Sequence, residues 1–105
     1  RISISDMVRV LCAEPSRMYG LYPKKGVIQP GADGDIVIFD PKREKTITHD
    51  ALHSAVDYTC YEGLKVQGAI DLVMQRGNVI VKDNEFLGQK GDGQYLKRGK
   101  SILAE

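Results

Sequence analysis

Long hydrophobic runs are missing from this sequence. Its apolar stretches are a few residues each, far short of the roughly 20 that a membrane-spanning helix needs. No signal-peptide pattern is visible at its start. An excess of one charge is missing too: 15 Lys and Arg stand against 14 Asp and Glu, a formal net charge of +1. Electrostatics therefore give neither nucleic acid nor an anionic membrane a reason to bind, and neither partner is expected. Cysteine is scarce. Cys12 and Cys60 lack metal-ligand spacing and read as two reduced thiols of a cytoplasmic protein rather than a disulfide. Internal repeats and low-complexity segments are absent.

What remains is an ordinary globular composition, 42% hydrophobic and 28% charged over 105 residues. That length suits one small domain with a limited core. The first residue is Arg, and a capped helix begins almost at once. The chain is therefore read as a piece of a longer polypeptide.

The pattern along the chain predicts a mainly β fold with N-terminal helices. Ile4, Met7, Val8, Leu11 and Cys12 recur at helical spacing and predict one apolar stripe. Ser3 is the expected cap, with Asp6 completing an approximate capping box. On that stripe Cys12 is expected to be a buried, inert thiol. A second short helix is expected to start at Pro15 and stop at Gly20. Pro30-Gly31 suits the centre of a type II turn. Ile36 to Phe39 follow as four apolar residues, a strand that wants cover on both faces. Pro41 is expected to end it, leaving Lys45 to Thr48 as a separate edge strand. Residues 49–68 read as a long loop docked on something else. From Ile70 to Leu87 a meander is expected, turning first at Gly77-Asn78 and then at Asp83-Asn84. The expected organisation is a helical lead-in over 1–22, a small sandwich portion over 23–88 with the docked loop, and an extended basic tail over 89–105.

Candidate chemistry is thin. His49 and His53 are four apart, a metal spacing on a helix, but no HExxH pattern surrounds them; they read as solvated or interface histidines. Gly91-Asp92-Gly93-Gln94-Tyr95-Leu96 opens like a dinucleotide fingerprint and then fails, with Leu96 in place of the third glycine. Asp33, Asp35 and Asp40 surround the strand; Asp33 and Asp35 read as local turn and strand caps rather than as general acids. Neither cysteine carries a nucleophile pattern. The residues by themselves support a small mixed domain, mostly β, with no constellation for a reaction.

Three stretches together resemble one family. PSRMYGLYPKKGVIQPGADGDIVIFDP resembles the helix-to-strand junction near the end of the dihydropyrimidinases and bacterial D-hydantoinases, cyclic-amide hydrolases of the amidohydrolase superfamily. HSAVDYTCYEG is similar to their VDY…YEG loop, and VMQRGNVIVKDNEFLGQKGDGQYLKR to their closing hairpin and basic tail. Ala55 stands where many relatives have asparagine, and Gly34 where alanine is common. The resemblance covers nearly the whole chain. It implies the C-terminal part of a composite β-sandwich that flanks a metal-bearing (β/α)₈ barrel. It implies a parent enzyme that opens dihydropyrimidines or hydantoins to N-carbamoyl amino acids, using two divalent metal ions, usually zinc. The metal ligands of such an enzyme lie on the barrel. No catalytic, substrate-binding or metal residue maps onto this chain, and no cofactor is expected in it. The implied partners are the N-terminal strands and barrel of the same protein and further copies in a homo-oligomer, a tetramer. Tyr58, Tyr61, Glu62 and Tyr95 are the candidate docking residues. Two other readings stay open: a portion of a non-catalytic scaffold like the collapsin response mediator proteins, or a free-standing β interaction module.

Overall fold

The computed structural model describes residues 2–102. They form a helical segment followed by a four-stranded sheet, and they divide into two compact units. One holds residues 2–35, 75–77 and 89–102; the other holds 36–74 and 78–88.

The helical segment is one run in place of the two helices expected. α1 spans Ile4–Val8, a π-helical turn spans Arg9–Ala13, and α2 spans Glu14–Met18. Ser3 caps α1 as the pattern predicts: its hydroxyl accepts from Asp6 N at 3.0 Å and donates to Asp6 Oδ2 at 2.7 Å. The run survives Pro15 because the helix widens just before it. Glu14 N–H reaches back five residues to Arg9 O, and a wider turn lets the chain pass a residue that has no N–H of its own. Ile4, Val8 and Leu11 are exposed, and Cys12 is an exposed free thiol, where a buried one was expected. The run ends as predicted at Gly20, whose φ is 71°. Leu21 N and Tyr22 N both donate to Ser16 O, at 2.7 and 3.0 Å, which satisfies a terminal carbonyl.

The connector turns where expected. Ala32 N donates to Gln29 O at 3.1 Å across Pro30-Gly31, with Gly31 at φ 89°, the type II geometry.

The sheet is a meander in the order β1-β2-β3-β4, with β1 at Ile36–Thr46, β2 at Lys65–Gln75, β3 at Asn78–Lys82 and β4 at Glu85–Phe86. Three expectations are corrected here. First, Pro41 does not end the strand. β1 runs on to Thr46, so no separate 45–48 strand forms. Asp40 pairs with Ala69 and Glu44 with Gln67, leaving Pro41, Lys42 and Arg43 opposite Gly68 alone. A proline lacking N–H is tolerated at such an irregularity on an edge strand. Second, β2 begins at Lys65, opposite Thr46, so the 49–68 loop is shorter than expected. Third, the first hairpin turns one residue early, on Arg76-Gly77 with φ 48° and 81°. Two bonds fix it there: Arg76 N to Asp35 Oδ1 at 2.9 Å and Gly77 N to Gly34 O at 3.0 Å. The second turn falls on Asp83-Asn84 as predicted, with φ 48° and 66°, the paired positive φ of a type I′ turn.

Nearly all backbone order here comes without a core. Among the described residues Ala69 is the one buried apolar side chain, at 7% exposure, and Ser16 the one buried polar residue, at 4%. Val37 and Ile38, which point to opposite faces of β1, are 56% and 49% exposed. Each large apolar side chain left in water forgoes about 1.5–3 kcal/mol of burial. One close contact is made inside the sheet. The Phe39 ring lies over Gly68, where a Cβ would stand 2.4 Å from its Cζ.

Candidate functional site

The loop between β1 and β2 is tied at its base. Ile47 N donates to Leu64 O at 2.9 Å and Gly63 N donates to Ile47 O at 2.8 Å. Inside that base a short 3₁₀ turn forms at His49–Ala51. Glu62 reaches back to it: Oε2 accepts from His49 N at 2.7 Å and lies 3.4 Å from His49 Nδ1. Asn84 donates to Ala51 O at 3.0 Å, and the His53 and Phe86 rings sit 6.4 Å apart. The loop is therefore held by named polar contacts and one ring contact rather than by a core. At its tip Tyr58 and Tyr61 are 71% and 60% exposed. Of the four docking residues named from the sequence, Tyr58, Tyr61 and Glu62 share this loop. Glu62 also has a structural contact that the sequence did not disclose.

Tyr95 lies in the other unit, on the tail, and is 92% exposed. The tail is held on either side of it. The Arg76 guanidinium donates to Asp92 O, and Gly99 N donates to Gly20 O at 2.7 Å. A Cβ on Gly20 would stand 2.4 Å from Gly99 O, so the crossing requires glycine at position 20.

An ion cluster in the same unit was not foreseen. Lys25 Nζ lies 2.8 Å from Asp33 Oδ2 and also bonds Asp35 Oδ2; Lys24 Nζ is 3.4 Å from Asp33 Oδ1. Asp35 bonds across 41 positions to Arg76 N and Asp33 pairs with lysines, so neither is the local cap expected. Asp40 does make a local bond, accepting from Lys42 N at 2.8 Å. The Lys25 hydrogen bond holds Asp33 below the usual carboxylate range. For Asp35, burial pushes upward, but bonds from Lys25 and Arg76 N outweigh it and the net shift is down. For Lys25, burial pushes downward, and the two carboxylates outweigh it, so its pKa is raised. The sequence signal was the Lys24-Lys25 pair followed by Asp-Gly-Asp at 33–35, a pattern whose pairing only the turn at Pro30-Gly31 reveals.

These residues do not fit a divalent metal. His49 Nε2 faces Asp50 Oδ1 at 3.0 Å and Nδ1 faces Glu62, while the His53 ring lies tilted beside Phe86. Among the described residues no three His, Cys, Asp or Glu side chains converge as a metal site. No reaction step is assigned to this chain. No helix of the described residues is long and apolar enough to cross a membrane.

Comparison with known proteins gives consistent matches. The model of the amidohydrolase family matches residues 1–80. The chain is 47% identical to a D-hydantoinase of Streptomyces coelicolor over 87% of its own length and 20% of the relative's. It is 45% identical to the D-hydantoinase of Geobacillus stearothermophilus over 95% of its length and 21% of the relative's. The crystal structure of dihydropyrimidinase from Brevibacillus agri superposes with a TM-score of 0.90 at 37% identity, over 95% of this chain and 22% of that one. The chain thus spans about a fifth of the length of the relatives it matches.

Proposed function

The chain belongs to the amidohydrolase family, in its hydantoinase and dihydropyrimidinase branch, and from that premise we propose that it is the C-terminal structural portion of a metal-dependent cyclic amidohydrolase. The parent hydrolyses the ring C–N bond of dihydropyrimidines or hydantoins and releases an N-carbamoyl amino acid. The observation that carries this reading is a single mismatch of scale. Nearly the whole chain matches these enzymes, yet it accounts for about a fifth of them.

The chain's part is architectural. Its sheet completes a β-sandwich whose remaining strands, from the N-terminal part of the polypeptide, cover the exposed Val37, Ile38 and Phe39. Tyr58, Tyr61, Glu62 and Tyr95 are docking residues toward the barrel or neighbouring copies in a tetramer. The divalent ions, zinc by expectation, are held by barrel residues outside this chain. The exposed free thiols of Cys12 and Cys60 support a cytoplasmic setting.

The test is to capture the native protein with an antibody to this chain, weigh it intact, and assay it. The expected species is several times heavier than 11.6 kDa, binds divalent metal and opens hydantoin or dihydrouracil. A native species of about the chain's own mass, or a heavier one without turnover, would defeat the reading.

A further inference from the structure

The sequence has two Asp-Gly steps, Asp33-Gly34 and Asp92-Gly93. At such a step the aspartate carboxyl is within reach of the next peptide nitrogen, and glycine adds no side chain to hinder the approach. The fold treats the two steps in opposite ways. Asp33-Gly34 is clamped. Lys25 Nζ lies 2.8 Å from Asp33 Oδ2 and Lys24 Nζ 3.4 Å from Oδ1, and the Lys25 bond favours the ionised carboxylate. Asp33 N donates to Lys24 O and Asp33 O accepts from Asp35 N, both at 2.9 Å. A Cβ on Gly34 would stand 3.1 Å from Gly77 N, so the backbone there has a close neighbour.

Asp92-Gly93 is open. Both residues are exposed and lie outside helix and strand. A Cβ on Gly93 would meet nothing within 4 Å. Asp92 is held through Gln89: its Oδ2 accepts from Gln89 N at 2.9 Å and its N donates to Gln89 O at 3.3 Å. The Arg76 guanidinium donates to Asp92 O, the carbonyl of the same peptide that carries Gly93 N. A cation on that oxygen stabilises the negative charge the peptide takes on as Gly93 N gives up its proton.

We propose that Asp92-Gly93 is a self-modification site, where the Asp92 carboxyl closes on Gly93 N to a succinimide and reopens to isoaspartate, with Arg76 promoting the closure. In the closure a bond forms between Gly93 N and Asp92 Cγ. One Cγ–O bond breaks, and that oxygen leaves as water with the Gly93 proton and the proton of the carboxylic acid. Water then adds back to the ring. Cleavage between nitrogen and Cγ restores aspartate. Cleavage between nitrogen and the Asp92 main-chain carbonyl leaves the chain running through Cγ and frees an α-carboxylate. One water is lost and one regained, and no oxidant or reductant is needed.

The native polypeptide is held at neutral pH in heavy-oxygen water and then mapped by mass spectrometry. An isoaspartyl carboxyl methyltransferase serves as the probe for the freed carboxylate. Asp92 is expected to take up label and become methylatable at least about fivefold faster than Asp33. In denaturant, where the contacts are gone, the two steps are expected to convert alike. Arg76→Gln is expected to slow conversion at Asp92 at least about threefold. Gly93→Ala, whose methyl enters open space, is expected to slow it while keeping the Arg76 bond. No label at Asp92, or equal label at Asp33 in the native protein, would overturn the proposal. So would a preference for Asp92 that persists in denaturant, or a rate that either substitution leaves unchanged or raises.

Discussion

Residues 24–35 and residues 36–46 are neighbours in sequence and opposites in what they need. The connector finds partners for its charges inside the chain: Lys24 and Lys25 meet Asp33 and Asp35, and Asp35 also takes Arg76 N. The strand that follows pairs its backbone with β2, yet Val37, Ile38 and Phe39 keep 40–56% of their surface in water. Polar groups of one are satisfied locally; apolar groups of the other stay largely in water. Hydrogen bonds and turns thus set the path of the chain, while the hydrophobic stabilisation of a domain is largely absent from it.

The largest effect that could break this contrast is on the strand. Ile38→Ala in the native polypeptide is expected to cost about 2–4 kcal/mol by denaturant unfolding, the range for a covered core position. In the 105-residue chain alone it is expected to cost under about 1 kcal/mol, because half of the side chain is already in water. Equal costs in both settings would erase the distinction. Next comes Gly20→Ala. A Cβ there meets Gly99 O and takes a φ of 71°, so about 1–3 kcal/mol is expected. Trypsin cleavage at Lys97, Arg98 and Lys100 should accelerate as the tail lifts. Unchanged cleavage would mean that the Gly20–Gly99 bond does not hold it.

Smaller still is Asp35→Asn, which removes a partly exposed ion pair but keeps an oxygen for Arg76 N. A loss of at most about 1 kcal/mol is expected, and it should shrink with added salt. The pH dependence follows from the shifts. Asp33 and Asp35 are lowered, so their contribution is present above the unfolded carboxylate value, about 3.9. It fades as pH falls through their lower folded values. Lys25 is raised, so its contribution is present below its unfolded value, about 10.4, and is lost as pH rises through the folded one. Stability curves of wild type and Asp35→Asn should converge at acid pH; parallel curves down to the acid limit would contradict the pairing.

Local chemistry was legible in the sequence wherever one or two residues decide the outcome. Ser3 capped, Gly20 stopped the helix, Pro30-Gly31 and Asp83-Asn84 turned. It was illegible where distant residues compete. Nothing near Gly77 says that Gly34 and Asp35 pull the hairpin back by one residue. Pro41 reads as a stop until the pairing of Glu44 with Gln67 resumes the ladder. The helical stripe at Ile4, Val8 and Leu11 is genuine in spacing, yet all three side chains are exposed among the described residues. Among the candidate docking residues, the sequence marked Tyr58, Tyr61 and Tyr95 as aromatics in polar loops. It did not reveal that Glu62 also ties down its own loop.

The proposed composite sheet has the faces and open edge of β1 completed by another part of the same polypeptide. Amide hydrogen exchange of residues 36–40 tests it most directly, measured in the 105-residue chain and again in the native protein. Fast exchange is expected in the chain alone, and protection greater by orders of magnitude in the native protein. Equal, strong protection in both would mean that this sheet stands by itself, and the composite fold would have to be abandoned.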